Sequence, residues 1–99
     1  MQFLLIAYDG KDSEAEARRF AARPAHLQNI EKLHKEGTHL LGGAILDEGK
    51  MIGSMVVVDY PSQEILESEW LASEPYVTGN VWQKIEIQPF AVAPFFLDK

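Results

Sequence analysis

The chain has 99 residues, 46% hydrophobic and 24% charged, with a formal net charge of -6 and no cysteine, which gives room for one folded domain burying only ~60–65% of its surface. The negative charge, with no Lys/Arg stripe interleaved with aromatics, argues against nucleic acid as a partner, and the missing thiols exclude disulfides, a thiolate nucleophile and Cys-based zinc sites. Met1-Gln2-Phe3-Leu4-Leu5-Ile6 lacks a basic flank and meets the polar Asp9-Gly10 too soon for a leader or a membrane span, so no membrane contact and a cytoplasmic location are expected.

Phe3 to Tyr8 is a short apolar run closed by the turn pair Asp9-Gly10 and reads as a first strand, apolar on both faces. Helical patterning begins at Asp12 or Ser13, either of which can cap, and runs to Ala22. Pro24 then interrupts it and suits the first turn of a second helical piece that ends before Gly37, the two pieces forming one kinked connection. Thr38 to Leu46 predicts a second strand, with Gly42-Gly43 marking a bulge or a close backbone approach. After the hairpin loop Asp47-Glu48-Gly49-Lys50, Met51 to Tyr60 predicts a third strand with apolar side chains on both faces. Pro61-Ser62 opens a helix to about Ser73, whose buried side holds Ile65, Leu66, Ala72 and part of Trp70, with Glu69 among them. A turn follows from Glu74 to Asn80. In the last strand, Val81 to Phe90, Val81, Gln83, Ile85 and Ile87 alternate with Trp82, Lys84, Glu86 and Gln88.

The order is βαββαβ, the pattern of an α+β, ferredoxin-like sandwich with a four-stranded antiparallel sheet. Its first and third strands are central, and these are the two that are apolar on both faces. The helices suffice to cover one face only. At ~25 cal/mol per Å², leaving the other face wet costs several kcal/mol, a large share of the ~5–15 kcal/mol that holds a small domain together. A homodimer packed through the open sheet face is therefore expected, with the apolar tail Ala91-Val92-Ala93-Pro94-Phe95-Phe96-Leu97 crossing onto the partner.

Within the second helical piece, His26, Leu27, Ile30, Leu33 and His34 share one third of the helix surface, so the His26 ring points inward or into a cleft. A buried imidazole needs a hydrogen-bond partner. The carboxylate of Glu74-Pro75-Tyr76 is the leading candidate and Glu69 the second. A His–carboxylate pair suits proton transfer, because the acid orients one ring nitrogen and strengthens the other as a base; a satisfied core histidine, and a Glu74 that merely ends a helix, are the bland alternatives. Pro75 restricts Glu74 to extended geometry. Without a Ser or Cys partner, the pair points to acid/base work rather than acyl transfer. Arg23 stands three residues before His26 and suits a substrate carboxylate or phenolate. Arg18 and Arg19 are better explained by helix pairs with Glu14 and Glu16, worth only ~0.3–0.5 kcal/mol each. Tyr76 and Trp82 suit an aromatic-lined pocket or the core equally, and Gly43 allows a ligand to approach the backbone. His26, His34 and His39 raise the question of a metal, but their spacing matches no ligand signature, and neither metal nor cofactor is expected.

Arg23-Pro24-Ala25-His26-Leu27, Leu33-His34-Lys35-Glu36-Gly37, Gly42-Gly43, Trp70, Glu74-Pro75-Tyr76-Val77 and Gly79, in that order and spacing, resemble the YciI-like (YCII-related) family over most of the chain. The resemblance implies a dimeric α+β barrel related to muconolactone-isomerase-like and monooxygenase-like proteins, with a His and an Asp in the active site, which correspond to His26 and Glu74. Two positions depart from the family pattern. Glu74 stands where the family usually carries Asp, one methylene shorter, and Ala44 stands where a proline commonly follows the glycine pair. One branch of the family is linked to removing chloride from chlorinated hydroxyquinol-type aromatics. The expectation is a small-molecule enzyme of lyase or isomerase type acting on a cyclic or aromatic metabolite, with a non-catalytic ligand-binding or accessory dimerisation module as the alternative.

Overall fold

In the computed structural model, which describes residues 1–97, the first apolar run forms β1 (Gln2–Asp9). Its alternation divides the strand: Phe3, Leu5 and Ala7 are buried, while Leu4 and Ile6 are half-buried on the other face. β1 pairs antiparallel with β3 (Lys50–Asp59) on one side and with β4 (Trp82–Phe90) on the other, and β2 (His39–Asp47) pairs with β3 at the far edge. The order β2-β3-β1-β4 is that of a ferredoxin-like α+β sandwich, with the two doubly apolar strands at its centre as the patterning predicts. β2 and β3 are joined by Glu48 and Gly49, whose φ values of 49° and 81° are the left-handed conformations a tight two-residue hairpin requires.

The helices are α1 (Ala15–Lys35) and a composite segment after β3, with α4 (Pro94–Leu97) following β4. The composite begins as α2 (Gln63–Ile65), widens into a π turn (Leu66–Trp70), tightens into a 3-10 turn (Leu71–Ser73) and ends as α3 (Pro75–Thr78). Phe3, Leu5, Val56 and Val58 from the sheet meet Leu66, Trp70 and Tyr76 from the composite, with Val81 and Trp82, in one core.

Several expectations are corrected. α1 starts at Ala15, with Asp12 accepting the Glu14 N–H at 3.2 Å ahead of it, and runs unbroken through Pro24. Proline removes the N–H that would bond the Phe20 carbonyl, yet Arg19 and His26 on either side of it are both buried, and such tertiary anchoring outweighs local propensity. The helix ends at Gly37, φ +89°, where Gly37 and Thr38 donate to the carbonyls of His34 and Leu33. Glu69 and Ala72 are exposed rather than buried. Their placement on a buried side assumed α periodicity, which the π turn breaks, whereas Leu66 and Trp70 face the core as expected. The segment 74–80 is partly helical rather than a simple turn. In β2 the register shifts flank the glycine pair, falling between His39 and Leu41 and between Ile45 and Leu46. A third shift, where Asp9 pairs with Trp82, turns Trp82 onto the helix-covered face, opposite to strict alternation.

Candidate functional site

Glu74 is fixed by its own backbone. Pro75 after it excludes helical geometry, so Glu74 sits at φ -67°, ψ 123°. Pro75 then opens α3 at the position where a missing N–H costs nothing, and the Glu74 side chain caps that helix by accepting the Tyr76 N–H at 3.2 Å. The same carboxylate accepts the Trp70 Nε1–H at 3.1 Å through its other oxygen. Its Oε1 also bonds Nδ1 of His26, brought over from α1. Glu74 is 0% exposed and His26 6%, so the pair is sealed from bulk water on the acid side.

A carboxylate oxygen only accepts, so in this pair Nδ1 carries the proton and a neutral ring presents Nε2 as the free acceptor. The ring is clamped by stacking. Its centroid lies 3.8 Å from that of Tyr76 at an interplanar angle of 13°, and Trp82 meets it edge-on at 6.0 Å. Arg19 packs on Tyr76 as well, its guanidinium 4.8 Å from the ring centroid. Burial pushes the Tyr76 phenol above its ordinary range, while the charges of Arg19 and Arg23 act the other way.

His26 opens onto a cavity of about 740 Å³ between α1 and β2/β3. Arg19, Arg23, Leu27, Ile30 and His34 of α1 form one wall, and His39, Gly42, Gly43, Met51, Ser54 and Val56 of the sheet form the other, with Tyr76 at the side. Of the residues predicted from sequence, His26, Arg23, Tyr76 and Gly43 line this space, and Glu74 stands behind His26 without reaching it. Gly43 contributes backbone only. It pairs with Met55, whereas Gly42 pairs with Val56 and is the glycine whose missing side chain faces the helices. Trp82 lies in the core and is not part of the wall.

Arg18 and Arg19 do not take the partners their spacing suggests. Arg18 bonds Asp12 at 2.6 and 2.9 Å and the Asn80 carbonyl at 3.2 Å, and the bonds from Arg18 pull the Asp12 carboxyl down to about 2. Arg19, 3% exposed, bonds both oxygens of Asp9 at 2.9 and 3.0 Å and the Ser54 hydroxyl at 3.0 Å. Ser54 also accepts the Trp82 Nε1–H at 3.1 Å. Burial raises the Asp9 carboxyl despite the bonds from Arg19. Arg19, Asp9 and Ser54 thus form a buried polar strut beside the pair, and sequence reasoning missed it. A charged residue closing a buried strand and an arginine ten positions on are its only linear trace. His34 donates from Nδ1 to the His39 carbonyl at 2.7 Å, and among the described residues no three His, Asp or Glu side chains gather as a metal site.

The profile of the YCII-related domain matches residues 1–91. Protein YciI of Escherichia coli O6:H1 is 32% identical over 97 residues, covering 91% of this chain and 96% of that protein. An uncharacterized protein of Haemophilus influenzae is 30% identical over 80 residues, covering 74% and 81% respectively. Among solved structures, 5-chloro-2-hydroxyhydroquinone dehydrochlorinase (TftG) from Burkholderia phenoliruptrix, in complex with 2,5-dihydroxybenzoquinone, superposes with a TM-score of 0.80 over 96% of this chain and 98% of that one. At 20% identity that likeness concerns the fold.

Proposed function

Since the chain belongs to the YCII-related domain family, we propose that it is a small-molecule enzyme in which His26 and Glu74 carry out acid/base chemistry, of lyase or isomerase type, on a small hydroxylated cyclic or aromatic metabolite. The observation that carries this reading is the buried His26–Glu74 pair, whose unbonded ring nitrogen belongs to a side chain lining the cavity. His26 Nε2 takes a proton from a hydroxyl of the guest and returns it to a ring carbon, and Glu74 stabilises the imidazolium in between; where that carbon bears chlorine, chloride then leaves with the C–Cl electron pair as a second hydroxyl gives its proton to water. Arg23, with Arg19 behind it, balances the oxyanion that forms, while Tyr76 holds the imidazole by its face. The fold neighbour acts on a chlorinated hydroxyquinol, which makes that compound class the first to assay.

The wild type is expected to release chloride from 5-chloro-2-hydroxyhydroquinone, and His26→Asn to do so at least ~100-fold more slowly while still binding 2,5-dihydroxybenzoquinone. Equal rates in the two proteins would remove His26 from the chemistry. Quinone binding with no turnover of this or related hydroxylated rings would favour a binding module.

We also propose that a second copy covers the helix-free face of the sheet. Leu4, Ile6 and Met55 are half-buried there and Leu41 is exposed, an apolar surface whose wetting is costly.

A further inference from the structure

His39 is 4% exposed, and neither of its ring nitrogens has a hydrogen-bond partner among the described residues. A buried polar group in that condition costs about 1–3 kcal/mol, so it stands in need of an explanation. Core packing supplies only part of one. The ring meets Trp70 edge-on at 4.6 Å, which satisfies its apolar surface but not its nitrogens. His39 lines the same cavity as His26. The register of β2 explains why: His39 pairs with Val58, on the helix-covered face, while its carbonyl is held by His34 across the end of α1.

Arg19, Arg23, His26, Leu27, Ile30 and His34 follow one stripe along α1, and at 1.5 Å per residue the wall from position 19 to 34 is about 22 Å long. The arginines stand towards its N-terminal end, the His26 ring is central, and the end of α1 bonded to β2 at His39 is the other limit. Leu27, Ile30, Met51 and Val56 give the space between an apolar lining. One ring with a single polar substituent engages only half of this arrangement. Burial keeps the His39 imidazole neutral in all but acid solution. A neutral imidazole has one donor and one acceptor nitrogen, and a hydroxyl group can satisfy either.

We propose that His39 is a ligand-contacting residue that reads a second oxygen on the guest, so that the site selects rings carrying one hydroxyl at His26 and another, set apart from it, at His39. This rests on the reading above in taking the guest to be a hydroxylated ring, but it concerns selection rather than turnover.

The test compares 2,5-dihydroxybenzoate with 2-hydroxybenzoate, which lacks the second hydroxyl, by titration calorimetry on the wild type and on His39→Phe. The wild type should bind the dihydroxy compound about 10-fold more tightly, and the variant should bind both alike, because a site built to bond a hydroxyl discriminates against the analogue without it. A preference that survives in His39→Phe, a wild type that shows none, or a wild type that binds neither compound would overturn the proposal. None of these results bears on chloride release or its dependence on His26, so the two readings fail separately. Independently of whether the variant folds, the ring ¹⁵N resonances of His39 in the wild type should shift with 2,5-dihydroxybenzoate and stay in place with 2-hydroxybenzoate. Equal shifts with both would also overturn it.

Discussion

Glu74 does three jobs with two oxygens: it caps α3, anchors the Trp70 indole and holds His26. All three partners are donors, so an ionised carboxylate satisfies every one of them and an amide cannot. Glu74→Gln turns an amide NH2 towards one of those donors and should destabilise the fold by about 1–3 kcal/mol, measured by urea unfolding. In the chloride-release assay it should also slow turnover as His26→Asn does. A variant with unchanged stability would mean that the carboxylate's charge is not needed to hold these donors. His39 gives the acid limb of stability. Its unfolded ring protonates near the ordinary 6.5, whereas burial holds the folded ring neutral down to about 4, with Glu74 raising that value and His26 and His34 lowering it. Between these pH values the unfolded chain binds a proton that the folded chain refuses. The contribution is therefore complete above about pH 6.5 and is lost as pH falls towards 4, an amount of roughly 3 kcal/mol. Unfolding free energies at pH 7 and pH 4.5 should differ more in the wild type than in His39→Phe by about that amount, and parallel pH profiles would contradict the assignment.

Two helical segments carry a residue or turn that a regular α-helix disfavours. In the π turn of residues 66–70, Leu66 and Trp70 reach the core while Glu67, Ser68 and Glu69 stay in water. Deleting Ser68 lets the segment close as an ordinary α-helix and leaves Leu66 three positions, not four, before Trp70. The expected outcome is a lowered thermal midpoint and a shifted tryptophan emission, since the indole loses its hold on Glu74. An unchanged midpoint and spectrum would show that the widened turn is dispensable. Pro24 is exposed and lies two residues before His26. Pro24→Ala restores a backbone donor inside α1, and after allowing for a more flexible unfolded chain it should stabilise by about 1–2 kcal/mol in urea unfolding. Destabilisation instead would indicate that the helix needs proline's geometry to aim the imidazole.

For the molecule as a whole, α1 and the composite segment cover one side of the sheet, and the proposed second copy has a direct test. Ile6 lies on the helix-free face, paired with Met55 on one flank and Glu86 on the other. Ile6→Glu places a charge in the middle of that face, so light scattering should give twice the chain mass for the wild type and the single-chain mass for the variant. A wild type that scatters as a single chain at micromolar concentration would remove the dimer from the proposal.

Strand order and the central places of β1 and β3 were legible because a strand buried on both faces must show apolar residues at consecutive positions, a local signal that survives in one dimension. His26 was legible for a similar reason, as an imidazole within an apolar helical stripe, and Pro75 betrayed the extended backbone of Glu74. The rest depended on offsets that no periodicity records. The π turn moved Glu69 out, a bulge at the end of β1 turned Trp82 inward, and burial chose Asp9 and Ser54 for Arg19 over the helix neighbour its spacing offered. Composition and pattern by themselves determined which surfaces leave water, since hydrophobic burial is additive along the chain. Which polar groups meet inside was decided only in the tertiary structure, because a hydrogen bond depends on tenths of an ångström between segments far apart in sequence.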